Sequence, residues 1–494
     1  MLIGIDIGTS SSKGVLVSPE GTIVARASRP HTVSTPRPGW VEHDAETVWW
    51  ADFVSIAREL VDASPSPITG LGVSGIGPCL LPATADGRPL RPAILYGVDT
   101  RATAEIAELT ELFGADAILQ RGGTPLSSQA VGPKVLWLAH NEPEVFAQTP
   151  LMLMASSYLV LRLTGRYVLD HHSASQCDPM YDMQAADWAR DWCAQIAPDV
   201  KLPELFWPNE IVGTVSETAA AETGLPAGLP VTAGTIDAWA EATSVGVTSP
   251  GDVMVMYGTT MFVIQVVAEP RPHAALWTTQ GAFPGTYSLA AGMATSGAIT
   301  DWLRNLFAGS FAELVEQAAA VPAGSRGLLM LPYFAGERTP IFDPDARGII
   351  AGLTLNHGQP EIYRAALEGT AYGLRHNLEV MGGSPQRVVA VGGGTQGDLW
   401  TQIVSDVTGV PQELPAETVG ACFGSAMFAA TALGHPVDSW NPLARTVTPN
   451  PVHTSKYDAF YAQYRALYPA TRDLAHFLAA EQLNPDVRRS GRFC

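Results

Sequence analysis

The chain has 494 residues, a length that exceeds one ordinary hydrophobic core and predicts two or more domains. Apolar residues make up 46% and charged residues 16%, which is typical of a globular protein and excludes wholesale disorder. The net charge is −19, so the general surface repels phosphate backbones and anionic membranes. We therefore expect no nucleic-acid partner and no membrane partner, although a local anion site built from backbone N–H groups is compatible with this charge.

The cysteines and the N-terminus indicate an intracellular setting. The five cysteines are widely spaced and form no CxxC pair: Cys79, Cys177, Cys193, Cys422 and Cys494. Neither a disulfide framework nor a zinc site is expected from this pattern. The first residues do not have the basic and long apolar regions of a signal peptide, and no run of about 18 apolar residues occurs. The expected compartment is the cytoplasm.

The first part of the chain predicts strands that alternate with helices. The predicted elements are strands at 2–6, 14–17 and 22–27, a helix at 45–61 capped by Asp44, strands at 69–74 and 92–96, and a helix at 99–113. The first three strands form a meander, because the turns between them are too short for a helix. Alternating strands and helices predict an α/β fold.

A second apolar block begins after Gly246 and repeats the opening of the chain. Strands are predicted at 252–257 and 261–267, joined by a Gly-Thr-Thr turn that resembles the Gly-Thr-Ser turn at 8–10. A strand at 387–391 and a helix at 399–408 follow. The repeated pattern predicts two domains of related design, residues 1–246 and residues 247–494.

The turn after the first strand is the first candidate for chemistry. Its small residues, Thr9 and Ser10 among them, can direct several N–H and O–H donors toward one anion, and Lys13 adds a positive charge suited to phosphate. Asp6, at the end of the strand, is a carboxylate that could hold hydrated Mg²⁺. The segment matches neither GxxxxGK[ST] nor GxGxxG, so a plain hairpin turn is the alternative.

Three further segments could carry chemistry. The turn at 258–260 is a candidate site only because it repeats the first turn. Considered alone, it predicts no more than a turn. The Gly-Gly-Gly-Thr run at 392–395 lets a ligand approach the backbone closely, with a flexible strand-to-helix turn as the alternative. Asp237 follows an apolar run and could accept a proton from an attacking hydroxyl group, as a general base does. A helix N-cap is the alternative for Asp237.

Longer segments resemble the FGGY family of carbohydrate kinases, and within it the xylulokinases most closely. The resemblance runs from Ile3 to about Gly434. It is most specific at 331–340, which reads LPYFAGERTP, and over 348–353 with 361–368, which reads EIYRAALE. Shorter segments that resemble the family lie at 3–10 with Lys13, 39–44, 90–96, 134–138, 391–395 with Trp400, and 417–426.

The resemblance implies an α/β, two-domain, actin-like (ribonuclease H-like) sugar kinase fold, with an interdomain cleft, a sugar-binding first domain and a nucleotide-binding second domain. It implies an ATP-dependent kinase that transfers the γ-phosphate to a hydroxyl group of a small sugar or polyol, with Mg²⁺ as a further cofactor. Asp237 would be the catalytic base and would lie at the metal with Asp6. The residues implied near the nucleotide are Thr9, Ser10, Lys13, Gly258, Thr259, Thr260, Gly297, Asp301, Gly393, Gly394 and Asp398. The residues implied at the sugar are Tyr96, Asp99, Arg101 and Asp237.

The implied sugar site departs from the family pattern. Residues 75–79 read Gly-Ile-Gly-Pro-Cys where xylulokinases carry Gln-Met-His-Gly, residues 96–101 are one residue longer than the family segment, and residues 234–238 read Gly-Thr-Ile-Asp-Ala. An amide and an imidazole that would bond sugar hydroxyls are missing, which leaves the sugar open.

The same residues are also compatible with other functions. A kinase of this family for another ketose, polyol or sugar acid, and a non-catalytic sugar sensor with the same fold, are the alternatives. An actin-like or chaperone-like ATPase is a further one, although the segment 331–340 points away from it. The sequence leaves the oligomeric state open, a homodimer included.

Overall fold

Strands and helices alternate along the chain, as the sequence predicts for an α/β protein. The computed structural model describes residues 1–382 and 385–483. The strands are β1 Leu2–Ile7, β2 Ser11–Val17, β3 Ile23–Pro30, β4 Glu42–His43, β5 Gly70–Gly75, β6 Leu81–Ala83, β7 Ala93–Ile94, β8 Leu151–Leu153, β9 Val168–Asp170, β10 Tyr181–Asp182, β11 Asp187–Trp188, β12 Glu204–Phe206, β13 Ile211–Thr214, β14 Pro230–Thr232, β15 Thr235–Ile236, β16 Asp252–Tyr257, β17 Met261–Val267, β18 Trp277–Gln280, β19 Tyr287–Met293, β20 Leu329–Leu331, β21 Ile349–Ala351, β22 Arg387–Val391, β23 Gln412–Pro415 and β24 Leu443–Val447.

The helices are α1 Ala51–Asp62, α2 Thr103–Phe113, α3 Ala115–Gly122, α4 Val131–Asn141, α5 Pro143–Phe146, α6 Ala155–Thr164, α7 His171–Ala174, α8 Arg190–Ile196, α9 Glu217–Thr223, α10 Asp237–Ser244, α11 Gly297–Phe307, α12 Phe311–Ala319, α13 Gln359–Val380, α14 Asp398–Thr408, α15 Ala421–Ala432 and α16 Thr454–Leu483. A π-helical turn precedes α1 at Ala45–Trp50. Within residues 1–382 and 385–483, no helix combines the length and the hydropathy needed to cross a membrane.

The described residues form two compact units. The first unit contains residues 1–250, 266–288 and 419–442, and the second contains 251–265, 289–418 and the residues from Leu443 onward. The units therefore interleave along the chain, whereas the predicted boundary between residues 246 and 247 divides it once. That boundary, and the cleft expected between the domains, stay predictions.

The sheet of the first unit contains the meander that the sequence predicts. Its strands lie in the order β13-β14-β5-β1-β2-β3, and β15 also pairs with β5. Strands β1, β2 and β3 are antiparallel neighbours, whereas β5 runs parallel to β1. All six residues of β1 are buried, and Asp6 is the only charged residue in this otherwise apolar strand.

The helix predicted at 45–61 forms as two segments. The Asp44 carboxylate accepts hydrogen bonds from the N–H groups of Glu46 and Thr47, at 3.0 and 2.8 Å, so it caps the π-helical turn. Helix α1 continues without a break and buries Phe53 and Ile56 on one face. The predicted helix at 99–113, by contrast, begins only at Thr103, because Asp99 and Arg101 form an ion pair in the preceding turn.

Helix α15 packs on the first sheet and on α10 through glycines. A Cβ atom on Gly4 in β1 would lie 1.9 Å from the carbonyl oxygen of Cys422, and one on Gly72 in β5 would lie 1.9 Å from that of Ser425. A Cβ atom on Gly424 would lie 1.8 Å from the carbonyl oxygen of Ala240 in α10. Only residues without a side chain allow this backbone contact. Strands β1 and β5 and helix α10 are therefore each in direct backbone contact with α15.

The sheet of the second unit repeats the design of the first. Its strands include the series β19-β17-β16-β22-β23-β24. Strand β16 is antiparallel to β17 and parallel to β22, as β1 is antiparallel to β2 and parallel to β5. The predicted strands at 252–257, 261–267 and 387–391 coincide with β16, β17 and β22. The prediction of two related halves is confirmed at the level of strand order.

Cysteines take no part in cross-links among the described residues. Cys79, Cys177, Cys193 and Cys422 are buried free thiols, and Cys494 lies outside the described residues. Burial raises the pKa of each of the four thiols, which makes them poor nucleophiles.

Candidate functional site

Asp6 lies at the carboxyl end of β1 and is buried. It faces Lys13 across the antiparallel pair with β2 and Ser74 across the parallel pair with β5. The Ser74 hydroxyl donates a hydrogen bond of 2.8 Å to Asp6 Oδ1, and the Ser425 hydroxyl donates one of 2.8 Å to Ser74 Oγ. Burial raises the pKa of Asp6 to about 6, although Ser74 and the charge of Lys13 act against the shift.

Asp237 is the first residue of α10. The N-cap position is taken by Ile236, so the alternative that Asp237 is the cap residue is wrong. Asp237 Oδ1 accepts a hydrogen bond of 2.8 Å from the N–H group of Ala238. Burial raises the pKa of Asp237 well above its usual value, and the negative charge of Asp6 raises it further. Asp6 and Asp237 are therefore close enough to repel each other.

Glu241 belongs to the same group of carboxylates. It lies one helical turn after Asp237 and therefore on the same face of α10. Burial raises the pKa of Glu241 to about 7, the charge of Asp6 raises it further, and the charge of Lys13 lowers it. Sequence analysis missed Glu241. The i, i+4 spacing from Asp237 is the signal that could have found it.

These carboxylates fit a magnesium ion by the chemistry of their donors. Carboxyl groups whose charges repel each other are stabilised by a cation, and Mg²⁺ binds through one or two carboxylates together with water and phosphate oxygens. Asp6 and Asp237 provide such a pair. Among residues 1–382 and 385–483, no group of three or more His, Cys, Asp or Glu side chains has an arrangement that holds a metal ion by itself.

The side chain of His31 supports the turn between β1 and β2. The Gly8 N–H group bonds to the carbonyl oxygen of Ser11 at 3.1 Å, and Ser10 and Lys13 are exposed. His31 bonds to the carbonyl oxygen of Gly8 at 3.0 Å through Nε2 and to Asp52 at 2.8 Å through Nδ1. The two supporting residues are 21 positions apart in sequence, and no motif connects them to the turn.

The residues predicted at the sugar fall into two groups. The Tyr96 hydroxyl is half-buried and lies 3.3 Å from Thr9 Oγ1, which places it at the first turn. The side chains of Asp99 and Arg101 have no exposed area, and Arg101 donates hydrogen bonds to both carboxylate oxygens of Asp99, from Nε to Oδ1 at 2.9 Å and from Nη2 to Oδ2 at 2.7 Å. Asp99 Oδ2 also accepts a hydrogen bond of 2.7 Å from the N–H group of Val41. The buried pair fixes the shape of segment 96–101, and direct sugar contact by either residue stays a prediction.

In the second unit, the turn 258–260 packs against the start of α11. The N–H group of Gly297 bonds to the carbonyl oxygen of Gly258 at 2.9 Å, and that of Ala298 bonds to Thr259 at 3.1 Å. A Cβ atom on Gly297 would lie 2.6 Å from the Gly258 carbonyl oxygen. Asp301 follows in the same helix, is exposed and pairs with Arg304 at 3.1 Å.

The glycine run after β22 joins the same region of the second unit. A Cβ atom on Gly394 would lie 2.9 Å from the Cβ atom of Tyr257, the residue before Gly258. Gly393 begins a 3-10 turn and has open space around its Cα atom. Asp398 begins α14, is exposed and pairs with Arg445 at 2.5 Å. The second-unit segments predicted at the nucleotide therefore meet where the parallel strands β16 and β22 end, the edge at which α/β sheets bind ligands.

Two α/β units that carry small-residue turns at their strand ends, with two buried carboxylates that repel each other in the first unit, are typical of a kinase that transfers phosphate to small hydroxyl compounds. The first 244 residues match the N-terminal domain of the FGGY family of carbohydrate kinases, and residues 253–433 match its C-terminal domain. The chain therefore belongs to the FGGY family of carbohydrate kinases, phosphotransferases that use an alcohol group as acceptor. Kinases of this family use ATP with Mg²⁺.

Relatives cover nearly the whole chain. The xylulose kinase of Escherichia coli (strain K12) is 32% identical over 87% of this chain and 90% of its own length. The gluconokinase of Bacillus subtilis (strain 168) is 27% identical over 96% of this chain and 97% of its own. The crystal structure of xylulose kinase from Rhodospirillum rubrum is 34% identical, covers 96% of this chain and 99% of that chain, and superposes with a TM-score of 0.89. The predicted two-domain α/β kinase fold is confirmed.

Proposed function

We propose that this kinase transfers the γ-phosphate of ATP to a hydroxyl group of a small ketose or polyol, with Asp237 as the general base. The observation that carries this proposal is the position of Asp237 at the start of α10, buried where the negative charge of Asp6 acts on its carboxylate. A base at the strand ends of an α/β unit is placed to orient an acceptor hydroxyl and to take its proton.

The protonation state of Asp237 depends on its neighbours. Burial and the charge of Asp6 both favour the protonated form, which cannot accept a proton. A cation near both carboxylates reverses this preference. Mg²⁺ would supply such a charge, and Asp6 with Asp237 would hold it. Lys13 faces Asp6 across the strands and contributes a fixed positive charge of the chain itself.

The remaining assignments extend the same proposal to the nucleotide. In the first unit, the turn with Thr9 and Ser10 offers N–H and O–H donors to phosphate oxygens. In the second unit, the residues proposed to contact ATP are Gly258, Thr259, Thr260, Gly297, Asp301, Gly393, Gly394 and Asp398. Their packing at the ends of β16 and β22 supports this assignment. Phosphoryl transfer needs mainly positioning and charge stabilisation, and such turns provide both.

The proposal also carries the remaining expectations about the whole protein. A division into a sugar domain, residues 1–246, and a nucleotide domain, residues 247–494, follows the two family domains. The cytoplasm is the proposed compartment, and ATP with a sugar or polyol are the proposed partners. A homodimer stays a prediction that analytical ultracentrifugation would test.

A panel assay tests the proposal. ADP release is measured with ATP, Mg²⁺ and each of several acceptors: ketoses that include D-xylulose, polyols and sugar acids. The proposal expects ADP release that depends on a ketose or polyol and that is lost in Asp237→Asn. Sugar binding without ADP release would support the sensor, and ADP release without any acceptor would support an ATPase. Either result would refute the proposed activity.

A further inference from the structure

Segment 337–339, part of the LPYFAGERTP run, lies against the end of strand β19 in the second unit. Strand β19 ends at Met293 and helix α11 begins at Gly297, so residues 294–296 connect the two. Three successive residues, 292–294, bond to segment 337–339 in antiparallel order. The segment therefore acts directly on the connection between β19 and α11.

Thr339 and Arg338 hold the last two residues of β19. Thr339 is 1% exposed, its Oγ1 accepts a hydrogen bond of 2.7 Å from the Gly292 N–H group, and its N–H group donates to the Gly292 carbonyl oxygen at 3.2 Å. Arg338 Nη2 donates to the carbonyl oxygen of Met293 at 2.9 Å. A Cβ atom on Gly292 would lie 2.9 Å from Arg338 Nη2, so the guanidinium group packs directly on the strand.

The Glu337 side chain holds the first residue of the connection. Glu337 is 5% exposed, and its Oε1 accepts hydrogen bonds from the N–H groups of Ala294 and Arg338, at 2.7 and 2.8 Å. The backbone of Glu337 is fixed by two hydrogen bonds with the backbone of Asp343, at 2.8 and 2.9 Å. The Asp343 carboxylate in turn accepts a hydrogen bond of 2.6 Å from the Tyr468 hydroxyl in α16. Without the Glu337 oxygen, two backbone N–H groups would lose their acceptor, and the connection would lose its anchor.

The other end of the connection holds the turn at 258–260. The Ser296 N–H group donates to the carbonyl oxygen of Thr259 at 3.0 Å, and the Gly297 N–H group donates to that of Gly258 at 2.9 Å. These bonds fix the peptide units of the turn against the start of α11. Because a turn binds an anion only when its donors point at one place, a shift at the start of α11 changes what the turn can bind.

Thr295 lies between the two sets of contacts. It is 6% exposed, and its hydroxyl donates to the carbonyl oxygen of Pro332, another residue of the LPYFAGERTP run. Ala294 and Ser296 are two residues apart, a span of at most about 7 Å. A displacement at the Glu337 oxygen therefore reaches the Gly-Thr-Thr turn through a short stretch of backbone that is bonded at every residue.

We propose that Glu337 is a positioning residue for the nucleotide: through Ala294 and the start of α11, it holds the turn at 258–260 in the orientation that binds phosphate. The inference rests on the proposed kinase function. Glu337 acts here through the backbone and not by contact with the nucleotide. The role needs only an acceptor oxygen, so the amide of glutamine can replace the carboxyl group, whereas a methyl group cannot.

Matched variants separate this role from general support of the fold. Glu337→Ala removes the acceptor, Glu337→Gln keeps an acceptor oxygen, and Thr339→Val removes the acceptor of the neighbouring Gly292 N–H group. Glu361→Ala is the control, because Glu361 lies in the same unit and also accepts a backbone N–H group, that of Gly358 at 3.0 Å, outside the segments that lead to the turn. KM for ATP, KM for the acceptor and kcat are measured for each variant.

The positioning role predicts a change confined to the nucleotide. Glu337→Ala should raise KM for ATP by about tenfold and lower kcat, because a shift of about 1 Å in a positioned group is enough for such a loss. KM for the acceptor should stay unchanged. Glu337→Gln should restore KM for ATP to near the wild-type value, Thr339→Val should change it in the same direction as Glu337→Ala, and the control should behave as wild type.

The outcomes separate the positioning role from the kinase function. An unchanged KM for ATP in Glu337→Ala, or an equal rise in Glu337→Gln or in the control, would overturn the role and leave the kinase intact. If Glu337→Ala does not fold, an unchanged KM for ATP in Thr339→Val would overturn the role instead.

A binding measurement tests the role if the proposed function itself fails, that is, if wild type releases no ADP with any acceptor. Calorimetric titration of ADP with Mg²⁺ into wild type, Glu337→Gln and Thr339→Val then reports on the turn without catalysis. The role predicts about tenfold weaker binding in Thr339→Val and near-normal binding in Glu337→Gln. Equal affinities in wild type and Thr339→Val, or no binding by wild type, would overturn it.

Discussion

Gly72 in β5 offers the sharpest test of how the first unit is built. In Gly72→Ala, the new Cβ atom would lie 1.9 Å from the carbonyl oxygen of Ser425 in α15. Carbon–oxygen contacts become ordinary near 3.4 Å, so the helix and the strand must separate by about 1.5 Å. The neighbours are backbone atoms, and backbone atoms cannot rotate away as a flexible side chain can.

The expected cost follows from this overlap. Overpacking by one methyl group in a close-packed interior typically costs about 1–3 kcal/mol, and contact with backbone places Gly72→Ala at the upper end. Alanine restricts the unfolded chain, which returns about 0.4–1 kcal/mol. We therefore expect a net loss of about 2 kcal/mol in the free energy of unfolding.

The same displacement should reduce activity. Residue 74 lies two positions further along the strand, on the same face, and its hydroxyl connects Ser425 to Asp6 through two hydrogen bonds of 2.8 Å. Moving α15 by more than 1 Å breaks that connection. We expect kcat to fall in Gly72→Ala even at temperatures where the variant is fully folded.

Urea unfolding followed by tryptophan fluorescence measures the stability, and ADP release measures the activity. Gly309→Ala is the control, because its Cβ atom would meet nothing closer than 3.5 Å. A loss below about 0.5 kcal/mol in Gly72→Ala, equal to the control, would refute direct packing of α15 on the strand.

Three further predictions concern charge. Asp237→Asn removes the proposed base and should lower kcat by at least about 100-fold, and near-normal kcat would remove Asp237 from the mechanism. The variant keeps an acceptor for the N–H group of Ala238. It should lose no stability at pH 8, because burial and Asp6 raise the pKa of the wild-type carboxylate. Lys13→Ala should raise KM for ATP by about tenfold or more, the effect of a lost charge-assisted bond to phosphate; unchanged kinetics at sub-saturating ATP would show that the first turn binds no phosphate. Burial raises the pKa of Asp170 to about 6, above its unfolded value, so its contribution to stability is full below about pH 4 and is lost as pH rises through 6. Relative to Asp170→Asn, wild type should lose roughly 3 kcal/mol of unfolding free energy between pH 4 and pH 8, and a constant difference in denaturation would contradict this.

Local features of the fold could be read from the sequence with little error. The strands β16, β17 and β22 coincide with their predicted ranges, and Asp44 caps the helical segment as predicted. These features depend on neighbours within a few residues, where the alternation of apolar side chains and the capping hydroxyl or carboxylate act directly. The predicted start of α2 at residue 99 is wrong because Asp99, besides its ion pair with Arg101, accepts a hydrogen bond from the distant N–H group of Val41, and these bonds hold the segment in a turn.

The sequence by itself determined the family of this protein, the order of its strands and helices, and the candidates Asp6, Lys13 and Asp237. All of these follow from short motifs or from periodicity along the chain. Tertiary structure alone decided which distant residues join them: Glu241 beside Asp6, and His31 with Asp52 behind the first turn. It also decided that segments 266–288 and 419–442 pack with the first unit. The reason is physical: burial, charge coupling and unpartnered hydrogen-bonding groups depend on what packs against a side chain, and partners a hundred residues away leave no periodic trace in the sequence.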